Sequence, residues 1–194
     1  MPEDNHLIFS KCHSELVVGV LDIVHSTEIT MPLVGIKIDE FYTIFLQETA
    51  NVLRSHGATV LKNIGDGILF YFPKTVLLSA ESFEEVARCG KALISAREEI
   101  NKKLAVDMLP MIEYRVSMSL GTVSAMLGSE GAIIDLFGSV INTCAKMNKM
   151  AKPNTCIVGD ALREKLEPIG IALEKIADYK VGETLSFGLW EIAQ

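Results

Sequence analysis

The sequence predicts an α+β fold, a ferredoxin-like split βαβ sandwich with helices over one face of a mainly antiparallel sheet. Two observations support this prediction. Apolar segments of strand length alternate with segments of helical periodicity in the order β-α-β-β-α-β. No internal repeat and no Pro/Gly/Ser-rich linker divides the 194 residues. We therefore expect a single domain over residues 16–194, preceded by a polar N-terminal leader over residues 1–15.

The first half of the chain supplies a strand, a helix and a hairpin. Residues 16–24 (LVVGVLDIV) form an unbroken apolar run of buried-strand length. A helical stripe of apolar side chains follows over residues 35–56 and ends at Gly57. Residues 58–62 and 67–72 are both apolar and flank an Asp-Gly pair, which is a strong signal for a tight hairpin.

The second half repeats the alternation. SFEE at residues 82–85 resembles a capping box and predicts the start of a second long helix. A long strand over 111–123, a helix over 138–151 and a short strand over 155–159 follow. The pattern of the last ~20 residues predicts a closing hairpin.

Composition excludes several classes of protein. The net charge of −7 argues against binding a nucleic-acid polymer, because phosphates would be repelled. No apolar run approaches the ~18–20 residues of a membrane span, and the N-terminus lacks a signal-peptide pattern. The cysteines show no CxxC spacing and lie in or beside apolar segments: Cys12, Cys89, Cys144 and Cys156. We expect a soluble, cytoplasmic protein with reduced core thiols.

Two aspartates interrupt apolar segments that we expect to be neighbours. Asp22 lies near the end of the first strand and Asp66 in the hairpin turn, so the two carboxylates can converge, with the Ile23 carbonyl as a third oxygen. Such a set suits Mg²⁺ or Mn²⁺. The next segment offers backbone N–H groups and the hydroxyls of Ser26 and Thr27 to phosphates. The alternative interpretation makes Asp22 a helix cap and Asp66 an ordinary turn residue.

A second polar group lies within residues 133–148. On a helix begun near Gly138, Asn142 and Lys146 are four residues apart and share a face. The apolar stripe lies on the opposite side and does not need them. Such a pair is most often only a solvated face, and Asp135, ahead of the helix, is unremarkable alone.

Together these segments resemble the catalytic domain of class III nucleotidyl cyclases, the adenylate and guanylate cyclases. The resemblance runs from about residue 16 to residue 192 and rests on four motifs in order. LDIVHST and KNIGDG resemble the two metal-aspartate segments, and YRVSMSLGTV resembles the strand that carries a phosphate-binding arginine, here Arg115. DLFGSVINTCAK matches the family pattern D-x-x-G-x-x-x-N-x-x-x-R except at its last position.

The resemblance implies a role for each candidate residue. Asp22 and Asp66 would hold two divalent ions, Mg²⁺ or Mn²⁺, on a triphosphate. Arg115 would bind phosphates, and Lys180 is a weaker candidate for the terminal phosphates. Lys62 and Asp135 would read the base. Adenine offers an acceptor at N1 and donors at N6, which match a lysine and an aspartate, whereas guanine would be repelled. Cytosine shares the edge pattern of adenine, so only pocket size excludes CTP, and we expect ATP.

The family also implies a head-to-tail homodimer with two shared sites. One copy would supply Asp22 and Asp66, and the other would supply Lys62, Asp135, Asn142 and Lys146. Lys146 occupies the position of the family arginine. The ammonium of lysine is a flexible point charge, and it stabilises a transition state less well than the planar, two-pronged guanidinium of arginine. We expect weak rather than absent turnover. The alternative is a nucleotide-binding dimerisation and regulatory module, and nothing in the sequence identifies a regulatory partner.

Overall fold

The computed structural model describes residues 8–128, 131–181 and 185–193. Within these residues the chain forms one eight-stranded sheet. Its strands are β1 (Ile8–Ile23), β2 (Thr59–Ile64), β3 (Gly67–Phe72), β4 (Tyr114–Leu127), β5 (Ile133–Phe137), β6 (Cys156–Gly159), β7 (Leu173–Val181) and β8 (Leu185–Ile192). The α-helices are α1 (Ser26–Thr30), α2 (Ile36–Ser55), α3 (Ala80–Val106), α4 (Ser139–Asn148) and α5 (Asp160–Leu166). Short 3₁₀ turns cover Pro73–Leu77 and Glu167–Ile169.

The strand order is β2-β3-β1-β4-β6-β8-β7, and β5 pairs with the end of β4. All pairs are antiparallel except β4 with β6. This arrangement confirms the predicted α+β split βαβ class. None of the described helices is long and apolar enough to cross a membrane.

The sheet separates two apolar clusters, because successive side chains of a strand point to opposite faces. Val17 and Leu21 of β1 face the larger cluster, which contains side chains of α2, α3 and α5. Val18 and Val20 face a smaller cluster that contains α4 and β5. Helix α4 therefore lies on the opposite face from α2 and α3, and the expectation that helices cover one face was wrong for this helix.

Several element boundaries also differ from those predicted. Strand β1 begins at Ile8, inside the predicted polar leader. Helix α3 begins at Ala80 with Ser79 as its cap, whose hydroxyl accepts a 3.2 Å hydrogen bond from the Ser82 backbone N–H. The capping box predicted at residues 82–85 is therefore one turn too late. Strand β5 and helix α5 were not predicted.

Candidate active site

The first polar cluster lies at the C-terminal end of β1. Asp22 is opposite Arg115 in the β1–β4 register, and Arg115 Nη2 lies 3.3 Å from Asp22 Oδ2. A Cβ on Gly67 would lie 2.5 Å from the Leu21 carbonyl oxygen and 3.2 Å from Asp22 Oδ1. Only glycine therefore lets the start of β3 approach β1 this closely, and the approach places the neighbouring Asp66 beside Asp22.

The two aspartates repel each other. Burial raises the pKa of Asp22 above its ordinary value of 3.8, and the Asp66 carboxylate raises that pKa further. The cations Arg115 and Lys149 act in the opposite direction. Because a bound cation would relieve this repulsion, the two carboxylates fit a divalent ion.

The protein alone does not complete a metal cage. In the described parts of the chain, no group of three or more His, Cys, Asp or Glu side chains is arranged to hold a metal. Ile23 is the last residue of β1 and directly follows Asp22, and its carbonyl stays the predicted third oxygen of the site. The remaining ligands would come from water or phosphate, as is usual for Mg²⁺.

Ser26 and Thr27 lie at the same end of the sheet. They begin α1, a single turn that starts three residues after Ile23. His25 precedes the turn with a left-handed backbone at φ 55°, and the Thr30 hydroxyl donates a 2.8 Å hydrogen bond to the Ser26 carbonyl. This compact turn holds both hydroxyl residues four and five positions after Asp22 in the sequence.

The second cluster is an ion pair between two strands. Lys62 Nζ of β2 lies 2.6 Å from Asp135 Oδ2 of β5, and the side chains are 43% and 23% exposed. The second carboxylate oxygen of Asp135 accepts a 2.8 Å hydrogen bond from the Leu136 N–H. The structure thus brings together the two residues assigned to the base, and the unpredicted strand β5 is what positions one of them.

Asn142 and Lys146 both lie on the exposed face of α4. The opposite face is buried through Val140, Cys144 and Met147, as the sequence predicts. Neither polar side chain makes a hydrogen bond or an ion pair with another described residue. Both are therefore free to contact a ligand or a second copy.

Lys180 is remote from this region within one chain. It lies exposed on β7, an edge strand, and β4, β6 and β8 separate that strand from β1. A single copy does not bring Lys180 to Asp22.

Two residues near the site were not predicted. Lys149 is exposed, lowers the pKa of Asp22, and accepts a 3.4 Å hydrogen bond from Arg115 Nη1 at its carbonyl. Asn148 is buried, and its amide donates to the carbonyls of Val20 and Arg115. The signal in the sequence was the asparagine itself, a polar residue next to Met147 on the apolar side of the helix.

A comparison with protein-family sequence models decides the family. The model described as the adenylate and guanylate cyclase catalytic domain matches residues 9–187. The chain belongs to this family. The resemblance stated from the motifs is thereby confirmed.

Individual relatives include both kinds of cyclase. An adenylate cyclase of Streptomyces coelicolor is 24% identical over 151 residues, which cover 78% of this chain. The match spans 34% of that relative's length, so this chain corresponds to about a third of it. The adenylyl cyclase CyaB from P. aeruginosa superposes with a TM-score of 0.82 at 15% identity, covering 94% of this chain and 95% of that one. The guanylyl cyclase Cya2 gives 0.80 at 19% identity, covering 94% and 93%. At these identities the structural matches establish the cyclase fold.

Proposed function

We propose that this cyclase domain converts ATP to 3′,5′-cyclic AMP and pyrophosphate. The observation that carries the choice of ATP is the Lys62–Asp135 pair, with 2.6 Å between Nζ and Oδ2. The pair holds one donor and one acceptor side by side, and both side chains are partly exposed. The Watson–Crick edge of adenine presents the complementary acceptor at N1 and donor at N6. The edge of guanine presents a donor and an acceptor in the reversed order, which this pair would repel.

The reaction forms one bond and breaks one bond. The ribose 3′-oxygen bonds to the α-phosphorus and loses its proton, while the bond from that phosphorus to the bridging oxygen of the β-phosphate breaks and releases pyrophosphate. Asp22 and Asp66 would hold two Mg²⁺ or Mn²⁺ ions, which when bound activate the hydroxyl and neutralise phosphate charge. Arg115, whose Nη2 lies 3.3 Å from Asp22 Oδ2, would bind phosphate oxygens, and Ser26 and Thr27 would add hydroxyl and backbone N–H donors.

Asn142 and Lys146 complete the site from a second copy in a head-to-tail dimer. In one chain Lys62 pairs with Asp135 although Asp66 is only four residues away, and Asp22 pairs with Arg115. The base-reading pair and the metal aspartates thus form separate clusters. In a dimer in which the metal aspartates of each copy face the base-reading pair of the other copy, both sites would be complete. Lys180 would reach the phosphates only in such a dimer.

A turnover assay tests this proposal. Purified protein is incubated with ATP, GTP, CTP or UTP, each with Mg²⁺ and with Mn²⁺, and the products are identified by mass, with Asp66→Ala as the control. Cyclic AMP from the wild type and none from the control is the expected result. Cyclic GMP or cyclic CMP as the main product would overturn the assignment of ATP.

A second candidate is a nucleotide-binding regulatory module without turnover. Lys146 favours it, because the exposed ammonium replaces the planar guanidinium that the family pattern has at this position. This function predicts ATP binding by calorimetry, with dimer formation but no cyclic product under any metal condition.

A further inference from the structure

An exposed lysine just after α4 belongs to the cluster around the metal aspartates. Burial and the Asp66 carboxylate raise the pKa of Asp22, whereas Arg115 and the Lys149 ammonium of the same copy lower it. Attraction between charges falls with distance, so the ammonium lies near the Asp22 carboxylate. The two carboxyl groups of the cluster are thus matched by two cations, Arg115 and Lys149, before any metal or phosphate binds.

The buried residue before Lys149 determines where this lysine lies. Asn148 is 1% exposed, and its amide donates hydrogen bonds of 3.0 Å and 3.2 Å to the carbonyls of Val20 and Arg115. These bonds join the end of α4 to β1 and β4, the strands that carry Asp22 and Arg115 opposite each other. The Lys149 carbonyl in turn accepts a 3.4 Å hydrogen bond from Arg115 Nη1. The backbone of Lys149 is therefore anchored beside Arg115, unlike that of an ordinary solvated lysine.

The two cations have donors to offer to a ligand. Within the described residues, Lys149 Nζ makes no hydrogen bond or ion pair, and the buried Arg115 Nε has no hydrogen-bond partner. The guanidinium of Arg115 meets Asp22 and the Lys149 carbonyl only at 3.3 Å and 3.4 Å, whereas charge-assisted hydrogen bonds are usually about 2.7–2.9 Å long. An anion with several oxygens would therefore satisfy both cations better than the Asp22 carboxylate does.

We propose that Lys149 binds the pyrophosphate end of the nucleotide together with Arg115. The last two phosphates of a nucleoside triphosphate carry most of its negative charge, and pyrophosphate gains charge as it leaves. The ammonium of lysine is a flexible point charge, so it can follow this group as the bond to the α-phosphorus breaks. The inference rests on the proposed function and adds a second cation to the half of the site that carries the metal aspartates.

Calorimetric titration with inorganic pyrophosphate in excess Mg²⁺ tests the inference without turnover. We expect Lys149→Gln to weaken pyrophosphate binding about tenfold, the effect of losing one hydrogen bond to a charged group. Lys149→Arg should retain most of the affinity because it keeps the charge. Neither substitution removes the contact with Arg115, which uses the backbone carbonyl of Lys149. Added salt should reduce the difference between the wild type and Lys149→Gln, because the ammonium is exposed.

A nearby lysine supplies the matched control. Lys152 is also exposed and lies three residues further along the chain, so Lys152→Gln causes the same change in net charge. This variant should bind pyrophosphate as the wild type does. Binding of Mn²⁺ without phosphate is the second measurement. Lys149→Gln should bind Mn²⁺ at least as tightly as the wild type, because it removes a cation from beside Asp22.

The outcomes separate this inference from the proposed function. Unchanged pyrophosphate binding in Lys149→Gln, or an equal loss in Lys152→Gln, would overturn the inference. So would a wild type that does not bind pyrophosphate, or an equal loss of Mn²⁺ binding in Lys149→Gln, since the lysine would then act through the metal site. A wild type that binds pyrophosphate through Lys149 but forms no cyclic nucleotide would overturn the proposed function and support the inference.

Discussion

Substitution of Lys146 tests most directly whether its side chain stabilises the transition state. Lysine offers a single mobile charge where arginine would offer two parallel donors. We expect Lys146→Arg to raise kcat by about tenfold, part of the ~10²–10³ that one well-placed donor can contribute, with little change in KM for ATP. Steady-state kinetics with Lys146→Met as the uncharged control measures this. An unchanged kcat in Lys146→Arg, together with cyclic AMP from Lys146→Met, would remove Lys146 from the reaction.

Asp22 should destabilise the free protein at neutral pH. Its raised pKa means that the folded state holds the proton more tightly than the unfolded state. The free energy of unfolding therefore falls as the pH rises from 3.8 through the pKa that Asp22 has in the folded protein. We expect Asp22→Asn to raise Tm at pH 7 by a few degrees, since ~1 kcal/mol corresponds to about 2–4 °C for a domain of this size. The gain in Tm should vanish below pH 3.8, the ordinary pKa of the Asp22 carboxyl, because this group is then protonated in both the folded and the unfolded state.

Divalent ions supply the second readout for Asp22. Mn²⁺ or Mg²⁺ should raise Tm of the wild type, because an ion bound only by the folded state stabilises it, and EDTA should reverse the rise. Asp22→Asn should respond much less. Thermal melts with and without metal distinguish the two, and an equal response of both proteins would place the ion elsewhere.

At the scale of residues, chemistry decided what the sequence could predict. Asp66 was recognisable because a carboxylate in an apolar hairpin needs a reason, whereas the grouping of Lys62 with Asp135 came from the family resemblance. Lys149 was not recognisable. An exposed lysine just after the end of a helix is ordinary, and only the position of α4 over β1 and β4 brings it near Asp22.

At the scale of elements, α4 offers a comparison between two asparagines. Asn148 is 1% exposed and joins the helix to β1 and β4 through hydrogen bonds of 3.0 Å and 3.2 Å to the Val20 and Arg115 carbonyls. Asn148→Ala should cost about 1–3 kcal/mol in unfolding free energy. Asn142→Ala, on the exposed face, should change stability by no more than about 0.5 kcal/mol but reduce turnover. Urea denaturation and the turnover assay of both variants check this separation, which an equal loss of stability would contradict.

The elements that the sequence missed share a physical cause. The segment 133–137 is short, and it forms a strand only because it pairs with β4. This pairing is a non-local contact that the periodicity of the sequence does not report. Helix α5 is also short. Which face of the sheet α4 covers depends on the path of the chain after β5. The apolar stripe of α4 indicates only that one side of the helix is buried. The long helices and the hairpin were predictable because their local patterns extend over many residues.

At the scale of the whole molecule, the separation of the two clusters predicts complementation between inactive variants. Under the proposed function, Asp66→Ala would remove a metal ligand and Lys62→Ala would remove a base contact, so each homodimer should be inactive. In a head-to-tail dimer of one copy of each, one site combines both substitutions and the other contains neither. Mixing the two proteins should therefore restore turnover.

The amount restored follows from symmetry. Random exchange makes about half of the dimers mixed, each with one intact site of two, so activity per chain should reach about a quarter of the wild type. Asp66→Ala mixed with Asp22→Ala is the matched control, since both changes affect the same half-site and no intact site can form. No recovery in the test mixture, although energy transfer between differently labelled copies shows subunit exchange, would mean that Lys62 and Asp66 serve one site in one chain. Recovery in the control would mean that Asp22 and Asp66 of one site come from different copies.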